Sequence, residues 1–74
     1  MSEPTETIGD VIRRRRMRKK LTADDVAKLV NVSRSRIYQW ESASFIMPKN
    51  LPGLSVALGI SERRLKAANG ARAA

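Results

Sequence analysis

The sequence predicts one small all-α domain of five helices. Apolar residues recur every three or four positions along most of the chain, and a Thr or Ser that can cap a helix precedes four of the five apolar segments. Aromatic residues make up only 4% of the 74 residues, which favours an aliphatic helical core over a strand-rich one. A chain of this length forms at most one domain and is marginally stable by itself.

The first two helices are predicted from the same pattern at their N-termini. Segments 7–10 and 22–25 each begin with threonine and end with aspartate three residues later, which is the capping-box pattern. The first helix is therefore expected over residues 8–19, with Ile8 and Ile12 inward. The second is expected to end near Asn31, because asparagine tolerates the left-handed conformation of a tight break.

The last three helices follow from capping residues and chain breakers. Ser33 is the predicted cap of a helix over residues 34–42, and a fourth helix is expected to begin after Pro48 and Asn50 and to end at Gly59. Ser61 is the predicted cap of a short fifth helix through residue 65. The inward residues predicted for helices two to four are Val26, Leu29, Val30, Ile37, Trp40, Leu51, Leu54 and Leu58.

The charge distribution divides the chain into a lead, a domain and a tail. Three acids and no base lie in the first ten residues, whereas seven of the eight residues 13–20 are basic. Residues 1–6 are predicted to be a disordered lead, residues 7–68 the folded domain, and residues 69–74 a flexible tail.

Composition excludes several classes of function. The chain has no cysteine and no histidine, so disulfides and thiolate zinc sites are absent, and we expect no catalytic residue, no metal site, no cofactor and no small-molecule ligand. No apolar run exceeds three residues and the N-terminus is acidic, so we expect neither a membrane span nor a secretory signal. The net charge of +8 and the pI near 11.2 favour nucleic acid as the partner.

Helices two and three have the spacing of a helix-turn-helix, with a tight break at residues 31–33. Ala27 is small where the two helices would cross, and Val32 is apolar where the turn would tuck inward. Residues 22–41, TADDVAKLVNVSRSRIYQWE, resemble the helix-turn-helix of lambdoid phage repressors and Cro proteins, and residues 51–61, LPGLSVALGIS, resemble that family's fourth helix. The resemblance implies a compact lambda-repressor-like DNA-binding domain.

Three positions depart from the family's pattern. Asn31 stands where the turn glycine is usual, which the conformation allows. Ala23 stands where members often have a glutamine that holds a phosphate and braces the recognition helix. The loop after the third helix is often basic in the family, but here it begins with Phe45, Ile46 and Met47.

The resemblance and the side-chain chemistry together predict the base contacts. Arg34, Ser35 and Gln39 match the family's reading positions, and Tyr38 lies among them. Arginine can bind guanine through two hydrogen bonds, glutamine can bind adenine, and serine can add a short bond or contact a thymine methyl. The alternative for each residue is ordinary solvent exposure, and Tyr38 is equally suited to a phosphate.

The resemblance also implies phosphate contacts and one structural ion pair. The predicted contacts to the DNA backbone are Arg14, Arg15, Ala23, Ser33, Arg36 and Lys49. Arg16 lies on the inward stripe of the first helix, and the family often pairs an arginine there with a carboxylate at the position of Glu41. The alternative is two independent surface charges.

Three consecutive apolar residues in a loop cannot all point inward, so Phe45, Ile46 and Met47 are predicted to form a dimer contact. The predicted function is a Cro-like repressor that occupies a pseudo-palindromic double-stranded DNA operator as a weak homodimer completed on DNA. It would act in the cytoplasm, at the nucleoid. The alternatives are an antitoxin-like or other protein-binding module, and an arginine-rich RNA-binding protein.

Overall fold

A computed structural model describes residues 6–70 of the chain. In this range it contains five α-helices, one single-turn 3₁₀ helix and no strand. The helices are α1 (Ile8–Arg18), α2 (Ala23–Val30), α3 (Arg34–Glu41), the 3₁₀ helix (Pro48–Asn50), α4 (Leu51–Leu58) and α5 (Glu62–Ala68). The prediction of an all-α fold of five helices is confirmed.

The N-termini of α1 and α2 carry the predicted capping boxes. The Thr7 hydroxyl accepts a hydrogen bond from the Asp10 amide at 3.1 Å, and the Asp10 carboxylate accepts one from the Thr7 amide at 3.2 Å. Thr22 and Asp25 form the same pair of bonds, at 3.0 and 2.9 Å. These bonds satisfy amides that have no partner within the helix, so each helix begins where the sequence predicts.

The remaining helix ends also follow the predicted local chemistry. Ser33 and Ser61 cap α3 and α5 through their hydroxyls, which accept from main-chain amides at 3.2 Å in both cases. Asn31 ends α2 in the left-handed conformation, with φ 60° and ψ 49°. Gly59 ends α4 at φ 67°, a backbone conformation that other residues rarely adopt. Within residues 6–70, no helix is long and apolar enough to cross a membrane.

One core joins all five helices, and it is aliphatic apart from one tryptophan. Its buried residues are Ile8, Val11, Ile12, Ala23, Val26, Ala27, Ile37, Trp40, Ile46, Leu51, Leu54, Leu58, Ile60 and Leu65. The prediction that Leu29 faces inward is wrong, since 62% of this residue is exposed. Val26 and Val30 face the core, and Leu29 is rotated by about 100° from Val30 around the helix.

The C-terminal end of α5 holds the connection between α3 and the 3₁₀ helix. The Asn69 side chain accepts from the Ile46 amide at 2.7 Å and donates to the Ile46 carbonyl at 2.8 Å. The Gly70 amide donates to the Ser44 carbonyl at 2.8 Å. Asn69 and Gly70 therefore belong to the folded domain, contrary to the prediction of a tail from residue 69, because they supply hydrogen-bond partners that the connection lacks.

The other predicted boundaries fall mostly outside the described residues. Residues 1–5 of the predicted lead and residues 71–74 of the predicted tail are not described. Helix α5 extends to Ala68, three residues beyond its predicted end. Glu6, the last residue of the predicted lead, forms an ion pair with Arg14 of α1.

Helix α1 approaches the end of α3 closely at Gly9. The Gly9 amide donates to the Ala43 carbonyl at 3.1 Å. A Cβ atom at Gly9 would lie 2.7 Å from the Ala43 carbonyl oxygen and closer still to that of Glu41. Because both neighbours are main-chain atoms, a larger residue at position 9 would force α1 and α3 apart.

Candidate nucleic-acid interface

The outer face of α3 presents polar side chains from a helix that is anchored on its inner face. Ile37 is 1% exposed and Trp40 is 7% exposed, so this side of α3 faces the core. The four predicted base contacts lie outside this buried stripe and are all exposed: Arg34, Ser35, Tyr38 and Gln39. The structure thus brings these four residues together on one accessible surface.

The orientation of α3 is held by the predicted pair Arg16–Glu41, which the structure contains as a two-bond ion pair. Arg16 Nε donates to one Glu41 carboxylate oxygen at 2.6 Å, and Nη2 donates to the other at 3.2 Å. The third nitrogen of Arg16, Nη1, donates to the Leu21 carbonyl at 3.0 Å. The side chains are only 14% and 6% exposed. The hydrogen bond to Glu41 raises the pKa of Arg16 above its ordinary value.

This ion pair connects three parts of the fold. Arg16 belongs to α1, Leu21 lies in the connection to α2, and Glu41 is the last residue of α3. A two-bond arginine–carboxylate contact fixes angle as well as distance. The pair therefore joins the end of α3 to α1 and to the α1–α2 connection.

Three of the predicted phosphate contacts lie together beside α3. Ser33, Arg36 and Lys49 line one open cavity of about 330 Å³, together with Val32, Trp40 and Asn50. Arg36 and Lys49 place two cationic groups on this cavity, next to the cap of α3. Such an arrangement suits an anionic group, because two cationic side chains line the cavity.

Ala23 is placed differently from these three residues. It is 2% exposed and its side chain belongs to the core. The only group that Ala23 can offer a phosphate is its main-chain amide at the first position of α2. The family's glutamine at this position would reach further.

Arg14 and Arg15 do not lie with the residues of α3. Arg14 is paired with Glu6, and the Arg15 Nη1 atom contacts the Gly59 carbonyl at 3.5 Å. Both arginines line a cavity whose other residues come from α1, α5 and Ile60. The predicted phosphate contacts are therefore divided between two surfaces.

Arg13 of the basic run also lies beside α3, as Arg16 does, and the sequence prediction missed it. It shares an open cleft of about 370 Å³ at the α1–α3 junction with Tyr38 and Ser42, and the carboxylates of Asp10 and Glu41 line the same cleft. Its position could have been found from helical spacing, because Arg13 lies one turn before Arg16 and residues three apart share a helix face.

The loop of the predicted dimer contact alternates between exposed and buried residues. Phe45 and Met47 are 54% and 55% exposed, whereas Ile46 is 2% exposed. The prediction that Ile46 contacts a partner is therefore wrong, because its side chain is in the core of its own chain. The two hydrogen bonds from Asn69 hold the main chain of Ile46 in this orientation.

Within residues 6–70, no three acidic side chains come together as they would to hold a metal ion. The described side chains of the interface carry hydroxyl, amide, phenol, ammonium and guanidinium groups. These groups recognise base edges and phosphates by hydrogen bonding.

Comparison with known proteins assigns this architecture to a family. A family model described as helix-turn-helix matches residues 12–65, which span α2, α3 and α4. Among solved structures, the chain is similar to the P22 c2 repressor protein, crystallised in complex with a synthetic operator in the presence of Tl⁺. That similarity has a TM-score of 0.72 at 36% sequence identity, and it covers 82% of this chain and 94% of the other. The search of curated protein sequences finds no match. The match to most of the chain, with α2 and α3 joined by the tight break at Asn31, means that this protein belongs to the helix-turn-helix family of lambda repressor and Cro-like proteins.

Proposed function

We propose that this protein is a transcriptional regulator that binds double-stranded DNA in a sequence-specific manner. The observation that carries the proposal is the outer face of α3, where four polar side chains are exposed on a helix anchored by Ile37 and Trp40. The family supports it, as does the similar P22 c2 repressor, whose structure was determined with a synthetic operator. The place of action is then the nucleoid, in the cytoplasm.

In this proposal α3 enters the major groove and reads base edges. Arg34 is suited to the two acceptors of guanine, Gln39 to the donor and acceptor of adenine, and Ser35 to a short hydrogen bond or a thymine methyl. Tyr38 lies between them and the α1–α3 cleft, where it can reach either a base or a phosphate.

Phosphates are held on both sides of α3. The cavity lined by Ser33, Arg36 and Lys49 takes one phosphate, and Arg13 beside Tyr38 takes another. These contacts position α3 without reading sequence. The Arg16–Glu41 pair joins α3 to α1 and so helps to hold the recognition helix in place.

We further propose that two copies bind one pseudo-palindromic operator and repress transcription by occluding it. Two-fold related recognition helices would enter successive major grooves about 34 Å apart. Phe45 and Met47 supply exposed apolar surface after α3 and are the proposed dimer contact. Two side chains of this size give a small interface, so the dimer is weak in solution and is completed on DNA.

Selection from a random-sequence duplex library tests this function. The expected result is enrichment of a sequence with two related half-sites centred about 10 base pairs apart. Failure to enrich any duplex sequence would contradict the proposal. Equal or tighter binding of single-stranded RNA would assign the protein to RNA, and binding to a protein partner without affinity for duplex DNA would assign it to the protein-binding class.

The salt dependence of binding to the selected duplex is an independent test. A dimer that neutralises several phosphates per subunit should show a slope of log affinity against log salt of about −5 or steeper. Gel shifts at a series of salt concentrations measure this slope. A slope near zero would contradict phosphate binding by a chain of net charge +8.

A further inference from the structure

A second concentration of positive charge lies on the side of the domain formed by α1, α5 and the end of α4. We call it the basic cluster and define it by Arg14, Arg15, Arg18, Lys19 and Arg64. Four of these residues line one cavity, with Val11 and Ile60. Lys19 joins them at the end of α4, where its Nζ atom lies 3.7 Å from the position a Cβ of Gly59 would take.

The cavity of the basic cluster faces a different side of α1 from the interface on α3, and the two surfaces adjoin where Arg14 and Arg18 also line a cleft with Arg13. Arg13 and Arg15 are two residues apart on α1, so they point about 160° away from each other around the helix axis. Arg13 lines the cleft that contains Tyr38 of α3, whereas Arg15 contacts the Gly59 carbonyl. No residue of α2 or α3 lines the cavity of the basic cluster.

The basic cluster carries more positive charge than nearby groups of the fold neutralise. Glu6 neutralises one charge through its ion pair with Arg14. The C-terminal end of α4 offers about half a negative charge to Arg15 and Lys19. Five cations less these two contributions leave an excess of roughly +3.5. Holding such like charges together is unfavourable unless an anion binds among them.

The size and lining of the cavity favour a phosphate group as that anion. Its volume is about 60 Å³, the share of about two water molecules in the liquid. A small tetrahedral anion fits a space of this size. Arginine presents paired donors that match phosphate oxygens.

The lining also distinguishes a nucleic-acid backbone from an acidic protein. Protein interfaces usually combine arginine contacts with apolar or aromatic anchors that become buried. The apolar residues here, Val11 and Ile60, are only 5% and 3% exposed and already belong to the core. A partner of the basic cluster therefore gains charge contacts alone, as a phosphodiester chain does.

We propose that the basic cluster binds the phosphate backbone of a second DNA duplex while α3 holds the first, so that the protein bridges two segments of DNA. This proposal rests on DNA binding by α3, as proposed above. A straight duplex lying along α3 does not pass around α1 to the opposite side, so the phosphates come from another segment. Such segments of the same molecule are present at high effective concentration once the first is bound.

A duplex-capture assay tests the proposal without knowledge of the operator. A random-sequence duplex is immobilised, the full chain is bound to it at low salt, and capture of a second, fluorescent random-sequence duplex is measured. The test variant is Arg18→Gln/Arg64→Gln, which removes two exposed cations of the basic cluster. The matched control is Arg63→Gln/Lys66→Gln, which removes two exposed cations of α5 that do not line the cavity.

The wild-type protein and the control should capture the second duplex equally, and the test variant should capture at least five-fold less. All three should remain bound to the immobilised duplex. The salt dependence of capture should become shallower by about two in log–log slope for the test variant, because each lost phosphate contact removes about 0.9.

Four results would contradict the proposal, and each points to a different cause. If wild-type protein binds the immobilised duplex but captures no second duplex, the bridging role is refuted and the proposed DNA binding by α3 is unaffected. Equal loss of capture in the test and control variants shows a general charge effect. If polyglutamate blocks capture more strongly than random-sequence duplex does at equal charge, the partner of the basic cluster is an acidic protein. Wild-type protein that fails to bind the immobilised duplex contradicts the proposed function itself.

Discussion

The side chains on the inner face of α3 contact other parts of the same chain, whereas those on the outer face are exposed. On the inner face Ile37 and Trp40 are buried, and the Glu41 side chain is 6% exposed in its ion pair with Arg16. On the outer face, no side-chain hydrogen bond or ion pair within residues 6–70 involves Arg34, Ser35, Tyr38 or Gln39. The inner face of α3 thus stabilises the fold, and its outer face carries the proposed DNA contacts.

The difference implies that stability and DNA binding respond to different substitutions. Removal of an inner-face partner leaves a buried polar group or a cavity, and both are costly. Removal of an outer-face side chain leaves only solvent in its place, so the fold is unaffected while an intermolecular contact is lost. Substitutions on the inner face should therefore lower stability, and substitutions on the outer face should lower DNA affinity without changing stability.

The largest effect is expected for Arg16→Ala or Glu41→Ala. Each leaves one charge of a mostly buried pair without its partner, which costs about 3–5 kcal/mol at full burial and less here, because Arg16 is 14% exposed. Urea unfolding measures the loss. The exposed pair Asp24–Lys28, with 3.4 Å between Oδ2 and Nζ, is the control, and Lys28→Ala should change stability by less than about 1 kcal/mol. Equal effects at the two pairs would show that the inner face of α3 is not fixed by its ion pair.

The same contrast should appear in the loop after α3. Ile46→Ala should lower the free energy of unfolding by about 2–4 kcal/mol, because it deletes core side-chain atoms and leaves a cavity. Phe45→Ala and Met47→Ala, at exposed positions, should each change it by about 1 kcal/mol or less. In sedimentation experiments the two exposed substitutions should weaken dimerisation. An unchanged dimer in both would place the dimer contact elsewhere, and a stable Ile46→Ala protein would contradict the burial of Ile46.

On the outer face, Arg34→Ala should cost about 1–3 kcal/mol in binding to the selected duplex and relax base preference at one position per half-site. Its unfolding midpoint should equal that of the wild type. Arg36→Ala is the matched control, since it lies two residues away on α3 and should weaken all sequences alike. Equal loss on selected and random duplexes for Arg34→Ala would make it a phosphate contact.

The smallest effect concerns the N-terminus of α2, which leads into α3. Hydrogen bonds from the main chain and then from the side chain of Thr22 lower the pKa of Asp25 below its ordinary value. Because the folded-state pKa is lower than the unfolded-state pKa of about 3.9, the ionised carboxylate stabilises the fold at pH values above 3.9. This contribution is lost as pH falls through the folded-state pKa. Asp25→Asn should therefore melt slightly below wild type at pH 7, and the difference should shrink as pH falls below the unfolded-state pKa of about 3.9. Asp24→Asn is the control, since its side chain has no bond to Thr22; a pH-independent difference for Asp25→Asn would refute the assignment.

The sequence by itself determined where the helices begin and which residues face outward on α3. Capping boxes at Thr7 and Thr22, the cap at Ser33 and the left-handed break at Asn31 involve partners within about four residues, so short-range chemistry decides them. The outward position of Arg34 follows in the same way, because helical periodicity places it once Ile37 and Trp40 face the core.

Only the tertiary structure decided the features that depend on contacts distant in sequence. Ile46 is buried because Asn69, 23 residues later, holds its main chain, and the sequence pattern treated Phe45, Ile46 and Met47 alike. Arg14 and Arg15 belong with Arg64 rather than with α3, because α5 packs against that side of α1. Local propensity has no information on which segments meet, since burial and charge clustering are decided by packing between helices.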